Sequence, residues 1–374
     1  MSRLYFDYNA TTPVPPQVLE ALLNAVKHDW KNPSSIHQEG REARKVLEEA
    51  RNRIAVRLGC QAGEIIFTGG ATESNNSVLN SVWARKPAGR NRIVATSVEH
   101  ESLLKPLEKL ARQGAQVRFL SVNAKGELNQ EEINEVLNDK TLLLSVMMAN
   151  NETGILFPVR QLAERAHKKG ILVHTDAACA VGKMPFSFKE LGVDFLTLSG
   201  HKFYSPKGVG LTLVKEGIDF DPFLLGGPQE KARRAGTENL TGILGMAAGL
   251  DFALHELDKE NSRLFQLRNR LKNGLKDLNE DVVFHENGAS QLPGTLSVFI
   301  PGFSGQTLLA RLDMEGAAVS FGAACSSGSP EVSRILLNMG IPEKEAASSI
   351  RISFGRMTTE EEVKKLLGIF DKIL

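Results

Sequence analysis

Residues 171–202 read ILVHTDAACAVGKMPFSFKELGVDFLTLSGHK, and this stretch decides the fold. It holds two short apolar runs, Ile171–Thr175 and Phe195–Ser199, and each has the length of a buried strand. Asp176 follows the first run, and Gly200-His201-Lys202 follows the second. Strands that alternate with helical patterns indicate a largely parallel sheet, which binds its ligands outside the carboxyl ends of the strands. We therefore expect Asp176 and Lys202 at one edge of such a sheet.

The same alternation extends in both directions along the chain. Further strands are predicted at Glu64–Thr68, Arg92–Ser97, Val117–Val122, Thr141–Met148 and Val209–Val214, with helices at Glu73–Arg85, Leu103–Arg112, Gln130–Leu137 and Val159–Lys169. From near Gly249 a long helical stretch runs to about Asn279, and shorter strands and helices follow it. We expect a large α/β domain over residues 1–257 and a smaller α+β domain over residues 258–374, with residues 1–15 packing on the smaller one.

Composition and charge exclude several classes of function. The 374 residues include 45 Lys and Arg against 44 Asp and Glu, and this near-neutral balance argues against nucleic-acid or membrane partners held by bulk charge. No apolar run has the length of a membrane span, and the first residues contain no signal-peptide core, so we expect a cytoplasmic protein. Cys60, Cys179 and Cys325 are too widely separated to predict a disulfide framework or a metal site.

A glycine turn supplies the third part of a candidate site. In EIIFTGGATE, residues 64–73, the turn opens a helix at Ala71 and Thr72, so backbone N–H groups there could bind a phosphate. A helix capped by Thr72 is the plainer alternative. An amine such as Lys202 can form a Schiff base with a carbonyl, and a carboxylate such as Asp176 can keep a pyridine nitrogen protonated. Taken singly, Lys202 is more simply a surface lysine and Asp176 a helix cap. Together with the glycine turn, the two residues predict a pyridoxal phosphate site.

Four more residues are candidates for the reaction itself. His100 follows a predicted strand and could stack on a flat ring and move protons, or could simply begin a helix. Asn151 offers an amide at the same sheet edge, and Arg351 offers a bidentate fork for a carboxylate, unless it is only a domain-interface arginine. Cys325 lies among small residues in SFGAACSSGSP, where an accessible thiol is expected to be reactive, whereas the other two cysteines are expected to be structural.

Taken in order, these motifs resemble the NifS/IscS-type cysteine desulfurases, which are pyridoxal-phosphate enzymes with the aminotransferase type I fold. The motifs that carry the resemblance are YFDYNATTP (5–13), NPSSIH (32–37), GATESN (70–75), EH (99–100), ANNETG (149–154), SGHK (199–202), RAGTEN (234–239) and the Cys325 loop. Each motif is weak alone, whereas their order over more than 300 residues is specific.

The resemblance implies a role for each candidate. Lys202 would carry pyridoxal 5'-phosphate, Asp176 would pair with its ring nitrogen, and His100 would stack on the ring and shuttle protons. The further cofactor contacts that it implies come from Ala71, Thr72, Asn151, Cys179, Ser199, Gly200 and His201, and from Thr237 of the second subunit of a homodimer. Asn151 and Arg351 would bind L-cysteine, and Cys325 would take its sulfur as a persulfide, leaving L-alanine. An acceptor protein, such as an iron–sulfur scaffold, would receive the sulfur.

Two positions depart from the pattern of that family. Cys179 stands where the family has a glutamine that bonds the cofactor's phenolic oxygen, and a thiol is the weaker donor. Pro228 replaces a glycine in the loop that leads to Thr237. Selenocysteine lyase and aminotransferase activities on the same fold stay open, although aminotransfer needs no nucleophilic thiol. A sulfur-transfer scaffold without catalysis is the alternative from another class.

Overall fold

A seven-stranded sheet forms the centre of the structure, a computed structural model that describes residues 3–285, 288–322 and 332–374. The strands of the described residues are β1 (Leu4–Tyr5), β2 (Ile65–Thr68), β3 (Arg92–Thr96), β4 (Gln116–Leu120), β5 (Thr141–Ser145), β6 (Leu172–Asp176), β7 (Phe195–Ser199), β8 (Gly210–Val214), β9 (Val283–Phe284), β10 (Thr295–Phe299), β11 (Ala317–Ala318) and β12 (Ser349–Ser353).

Helices cover this sheet and build the rest of the chain. They are α1 (Pro16–His28), α2 (Gln38–Leu58), α3 (Ala71–Ala84), α4 (Glu101–Arg112), α5 (Gln130–Val136), α6 (Val159–His167), α7 (Phe188–Leu191), α8 (Gln229–Ala232), α9 (Leu240–Leu254), α10 (Leu257–Leu278), α11 (Gly305–Met314), α12 (Arg334–Asn338), α13 (Glu343–Ala346) and α14 (Glu360–Ile373). Two 3₁₀ turns lie at Ala62–Glu64 and Gly200–Lys202. Within these ranges, no helix combines the length and the apolar character that crossing a bilayer requires.

The strand order β2-β8-β7-β6-β5-β3-β4 brings the predicted site elements together. Strands β4, β3, β5, β6 and β7 are parallel to one another, whereas β8 is antiparallel to both β7 and β2. Every residue of β5, β7 and β8 is buried, as expected for strands covered on both faces. The predicted α/β fold class, with its large and mostly parallel sheet, is confirmed.

A second group of strands stands apart from the central sheet. β9, β10 and β12 form an antiparallel sheet, and β1 pairs in parallel with β11. Leu4 and Phe6, from the beginning of the chain, are buried in an apolar cluster with residues of β10, β12, α10 and α14. The division of the chain into domains at residue 257 stays a prediction.

The long helical stretch predicted from near Gly249 to Asn279 is two helices, α9 and α10, so that expectation was wrong. The chain breaks at Glu256, whose φ of +46° lies in the left-handed region. Carbonyl groups at the break accept hydrogen bonds from the guanidinium of Arg356, from Nη2 to Ala253 O at 3.0 Å and to His255 O. The break is therefore stabilised by a residue about a hundred positions further along the chain.

Candidate active site

Lys202 and Asp176 follow neighbouring parallel strands. β6 ends at Asp176, which is paired in register with Thr197 of β7, and the 3₁₀ turn after β7 ends at Lys202. The Lys202 Nζ donates hydrogen bonds to the carbonyl oxygens of Asn9, at 2.7 Å, and Ala10, at 3.0 Å. The N-terminal segment therefore holds the amine at the sheet edge where ligands bind in open α/β folds.

Two donors fix the carboxylate of Asp176. The side chain is buried, with 6% of the residue exposed. Its Oδ2 accepts from Asn75 Nδ2 at 2.8 Å, and its Oδ1 accepts from the backbone N–H of Ala178 at 2.9 Å. An acceptor-only carboxylate matches this arrangement, in which each oxygen receives one N–H.

His100 is the N-cap residue of α4. Its Nδ1 accepts from the Ser102 backbone N–H at 3.1 Å and lies 2.8 Å from Ser102 Oγ. The simpler interpretation, that His100 begins a helix, is therefore correct for its backbone. That position does not exclude the other interpretation, since the cap occupies only one of the two ring nitrogens.

The glycine turn leads into a helix without a side-chain cap. Gly70 is the N-cap of α3, with a φ of +148°, and no side chain caps the helix there; Thr72 is exposed. A Cβ on Gly210 would lie 2.7 Å from the Cα of Gly70, so the turn packs closely on β8. The first N–H groups of such a helix suit an anion, as do the positive partial charges of its N-terminus.

Ser199, Gly200 and His201 form the other side of this turn. A Cβ on Gly70 would lie 3.4 Å from the Ser199 Oγ, so the serine hydroxyl faces the turn. Burial, and then the nearby charge of Lys202, lowers the pKa of His201 to about 4. In the chain alone, the imidazole is therefore neutral near pH 7.

Arg351, in the middle of β12, contacts Asn151. Arg351 is 4% exposed; its Nη1 donates to Asn151 O at 2.9 Å, and its Nη2 donates to Asp7 Oδ1 at 2.7 Å and Ser320 Oγ at 3.0 Å. The buried Arg351 Nε and Asn151 Oδ1 have no hydrogen-bond partner among the described residues. An unpaired donor and an unpaired acceptor in one place fit a polar ligand, because buried polar groups are rarely left unsatisfied.

Asn9 connects these groups, and the sequence analysis did not single it out. Its backbone O accepts from Lys202, its Oδ1 accepts from Lys183 Nζ at 2.8 Å, and its Nδ2 donates to Asn151 O at 3.2 Å. Desolvation lowers the pKa of Lys183 to about 8, and the charges of Lys202 and Arg351 add to this effect. Asn9 lies inside the motif YFDYNATTP, which was the available signal.

The remaining predicted residues have different surroundings. Cys179 is buried in the turn after β6. Thr237 is exposed on the segment before α9. Cys325 lies outside the described residues. The structure thus groups Lys202, Asp176, His100, Asn151, Arg351, Cys179 and the glycine turn around one sheet edge.

Pyridoxal phosphate fits the residues of this edge. Lys202 offers an amine for a covalent link, Asp176 offers a buried carboxylate for a ring nitrogen, and the uncapped N-terminus of α3 offers N–H groups for a phosphate. The unpaired Asn151 Oδ1 is a further polar atom that a ligand would satisfy. Such a set at the carboxyl ends of parallel strands defines a pyridoxal phosphate-dependent enzyme.

Comparison with known proteins narrows this class. Residues 4–366 match the family Aminotransferase class-V. The chain is 39% identical to the cysteine desulfurase IscS of Dictyoglomus turgidum, over 99% of this chain and 94% of that protein, and 39% identical to cysteine desulfurase 2 of Trichormus variabilis, over 100% and 94%. A NifS-like protein of known structure matches with a TM-score of 0.93 and 36% identity over 99% of both chains, and one from Rickettsia africae with 0.89 and 31%, also over 99% of both. The chain belongs to the class-V aminotransferases and, within them, to the pyridoxal phosphate-dependent cysteine desulfurases.

Proposed function

We propose that this chain removes the sulfur of L-cysteine, releases L-alanine and holds the sulfur as a persulfide on Cys325. One observation carries the proposal: the amine of Lys202 and the guanidinium of Arg351 are linked through two residues only. Lys202 bonds to Asn9 O, and Asn9 and Arg351 both donate to Asn151 O. A carboxylate bound by Arg351 therefore places the α-carbon of an amino acid near the reactive amine. The relatives named cysteine desulfurase support L-cysteine as that amino acid.

The cofactor supplies an electron-withdrawing ring that accepts the electrons left when the substrate Cα loses its proton. Asp176 would keep the ring nitrogen protonated, and His100 would stack on the ring. Ala71, Thr72, Ser199, Gly200 and His201 would hold the phosphate, together with Thr237 from a second copy of the chain. Cys179 would offer the cofactor a thiol in place of an amide, and a thiol is the weaker hydrogen-bond donor.

Acid–base work falls to two residues. Arg351 would hold the substrate carboxylate, Asn151 would contact the substrate, and the Lys202 amine would take the Cα proton. His100 would supply and receive protons in the same site. The carbonyl groups of Asn9 and Ala10 hold the Lys202 amine in position for this transfer.

The sulfur step belongs to Cys325. Its thiolate attacks the sulfur of the substrate, a new S–S bond forms, and the electron pair of the broken C–S bond goes to the substrate carbon, which takes a proton and becomes the methyl group of alanine. The outer sulfur of the persulfide then passes to a thiol of an acceptor protein, such as a scaffold for iron–sulfur clusters, in the cytoplasm.

A homodimer completes the proposed site. Helix α1 presents an exposed apolar face with Leu19, Leu23 and Val26, and Trp30 follows just after the helix; their exposed fractions range from 49% to 74%. Apolar patches of this kind are typical of protein interfaces. Thr237 is exposed and therefore accessible to a second copy.

An assay of both products tests the proposal. Purified protein is incubated with L-cysteine and a thiol reductant, and alanine and sulfide are quantified for wild type and Cys325→Ala. We expect equal amounts of the two products from wild type, and neither from the variant, which should still bind the cofactor. Alanine and sulfide at the wild-type rate from the variant would refute the role of Cys325.

A further inference from the structure

A chain of hydrogen bonds joins Asp176 to His100 through two residues that the sequence analysis did not single out. Asn75 Nδ2 donates to Asp176 Oδ2 at 2.8 Å and to Ser102 Oγ at 2.9 Å, and Ser102 Oγ lies 2.8 Å from His100 Nδ1. Asn75 is fully buried and Ser102 is 8% exposed. Together with the buried Asp176 and the partly exposed His100, they form one hydrogen-bonded unit that connects β6, α3 and the start of α4.

The chemistry of each group fixes the direction of these bonds. The Asp176 carboxylate only accepts, so the nitrogen of the Asn75 amide must face it, and the amide cannot be flipped. Both N–H groups of that nitrogen are then used, one for Asp176 and one for Ser102. Because Ser102 Oγ accepts from Asn75, its own hydrogen is available to donate to His100 Nδ1.

A backbone N–H group also requires an unprotonated Nδ1 on the imidazole. Ser102 N–H donates to His100 Nδ1 at 3.1 Å, so Nδ1 must present a lone pair to two donors from the same residue. A neutral imidazole with an unprotonated Nδ1 carries its hydrogen on Nε2. We propose that Asn75 and Ser102 are positioning residues that hold His100 as the neutral Nε2–H tautomer, so that His100 begins the reaction as a proton donor.

Only part of this inference depends on the proposed function. The donor role of His100 rests on that function, whereas the tautomer follows from the hydrogen bonds alone. The titratable and charged side chains of the surrounding elements are those of Glu99, Glu101, Glu152, Arg334 and Asp176, and none of them is substituted in the variants below.

Nitrogen-15 NMR of histidine-labelled holoenzyme tests the inference without substrate. We expect neutral His100 of the wild type to show a protonated Nε2 and an unprotonated Nδ1. In Ser102→Ala the imidazole loses a donor that stabilises its neutral form, so its titration midpoint should rise by about 0.5 to 1 pH unit. Ser102→Thr should restore the wild-type midpoint, and Asn75→Ala should give a smaller rise.

Asn80→Ala is the matched control, because Asn80 lies on α3 and donates only to the helix carbonyl of Asn76. Its midpoint should equal that of the wild type. A proton on Nδ1 of the wild type would overturn the inference, and so would an unchanged or lowered midpoint in Ser102→Ala. These results do not depend on turnover, so a failed desulfuration assay beside the expected spectra would refute only the proposed function.

Discussion

Glu99 shows how burial sets the protonation of a single residue beside the site. The side chain is fully buried; its Oε1 accepts from Thr96 Oγ1 and Met147 N, both at 2.8 Å, and its Oε2 has no partner among the described residues. Desolvation raises the pKa of Glu99 from 4.5 to about 8, and the charge of Asp176 adds to the rise. Glu99 is therefore mainly protonated at pH 7.

This protonation predicts a loss of stability at alkaline pH. A raised pKa in the folded state means that the folded chain holds more protons than the unfolded chain between pH 4.5 and about 8, so the stabilisation is complete below 4.5 and is lost as the pH rises. Glu99→Gln, a neutral isostere, should reduce that loss. From pH 7 to pH 9, we expect the free energy of unfolding of Glu99→Gln to fall about 1 kcal/mol less than that of the wild type.

Urea unfolding at the two pH values measures this difference. Buried His174 and His285 do not interfere, because burial lowers the pKa of each to about 4 and they stay neutral above pH 7. Glu108→Gln, on the exposed side of α4, serves as the control and should behave like the wild type. An equal loss in Glu99→Gln and the wild type would show that Glu99 is ionised at pH 7.

Arg351→Lys tests the proposed carboxylate site. A lysine ammonium cannot reproduce the planar fork that contacts Asn151, Asp7 and Ser320 together. The loss of about 1.5 to 3 kcal/mol of charge-assisted hydrogen bonding should raise the KM for L-cysteine roughly 10- to 100-fold, with a smaller change in kcat. Steady-state kinetics beside Arg270→Lys, an exposed pair with Glu360, provide the comparison. An unchanged KM would place the carboxylate elsewhere.

Among single residues, a sequence points most clearly to those that follow apolar runs. Asp176 ends a strand, and Lys202 and His100 lie three and four residues after the end of one, so such positions are visible in a sequence. Asn75, Ser102 and Lys183 are not visible in this way, because each acts through a partner on another element. Their roles depend on distances across the fold, such as that from Asn75 Nδ2 to Asp176 Oδ2, and local pattern carries no information about those distances.

The segment before Thr237 stores strain in its backbone. Three consecutive residues have positive φ values: +46° at Glu230, +58° at Lys231 and +63° at Ala232. This left-handed conformation is sterically unfavourable for residues that carry a Cβ atom. Arg51 holds the run in place, because its Nη1 and Nη2 donate to both carboxylate oxygens of Glu230, at 3.0 and 2.6 Å. This buried ion pair offsets the strain of a loop that directs Thr237 toward a second copy in the proposed dimer.

Ala232→Gly should therefore stabilise the chain. Glycine adopts positive φ without steric cost, and the relief should raise the free energy of unfolding by about 1 kcal/mol. The matched control is Ala248→Gly in the right-handed helix α9, which should lower it by about 1 kcal/mol. Denaturant melts of the two variants compare the effects directly. If Ala232→Gly destabilised the chain as much as Ala248→Gly, the segment would not be strained.

Elements with a clear apolar pattern were predictable from the sequence. The strand predicted at Phe195–Ser199 has the same limits in the structure, and the helix predicted at Gln130–Leu137 ends one residue earlier. Thr141–Met148 was predicted too long, because β5 ends at Ser145 and the chain then turns toward Asn150. The break between α9 and α10 was missed, since Arg356 stabilises it from a distant part of the chain.

The exposed apolar face of α1 predicts that two copies of the chain associate. Leu23→Lys places a charge in the middle of this face, where 50% of the leucine is exposed in the single chain. We expect the variant to shift from dimer toward monomer in sedimentation experiments, and to bind the cofactor less tightly because Thr237 of the second copy is lost. Met314→Lys, at an exposed methionine of α11, is the control. A monomeric wild type would contradict the proposed arrangement.

The destination of the sulfur can be measured directly on the three cysteines. The holoenzyme is incubated with L-cysteine without reductant, digested, and its cysteine peptides are examined by mass spectrometry. We expect one added sulfur atom on the Cys325 peptide and none on those of Cys60 and Cys179; Cys179 is buried, and burial raises the pKa of the Cys60 thiol to about 12. Alanine formed without a persulfide on Cys325, or with the added sulfur on Cys179, would contradict this expectation.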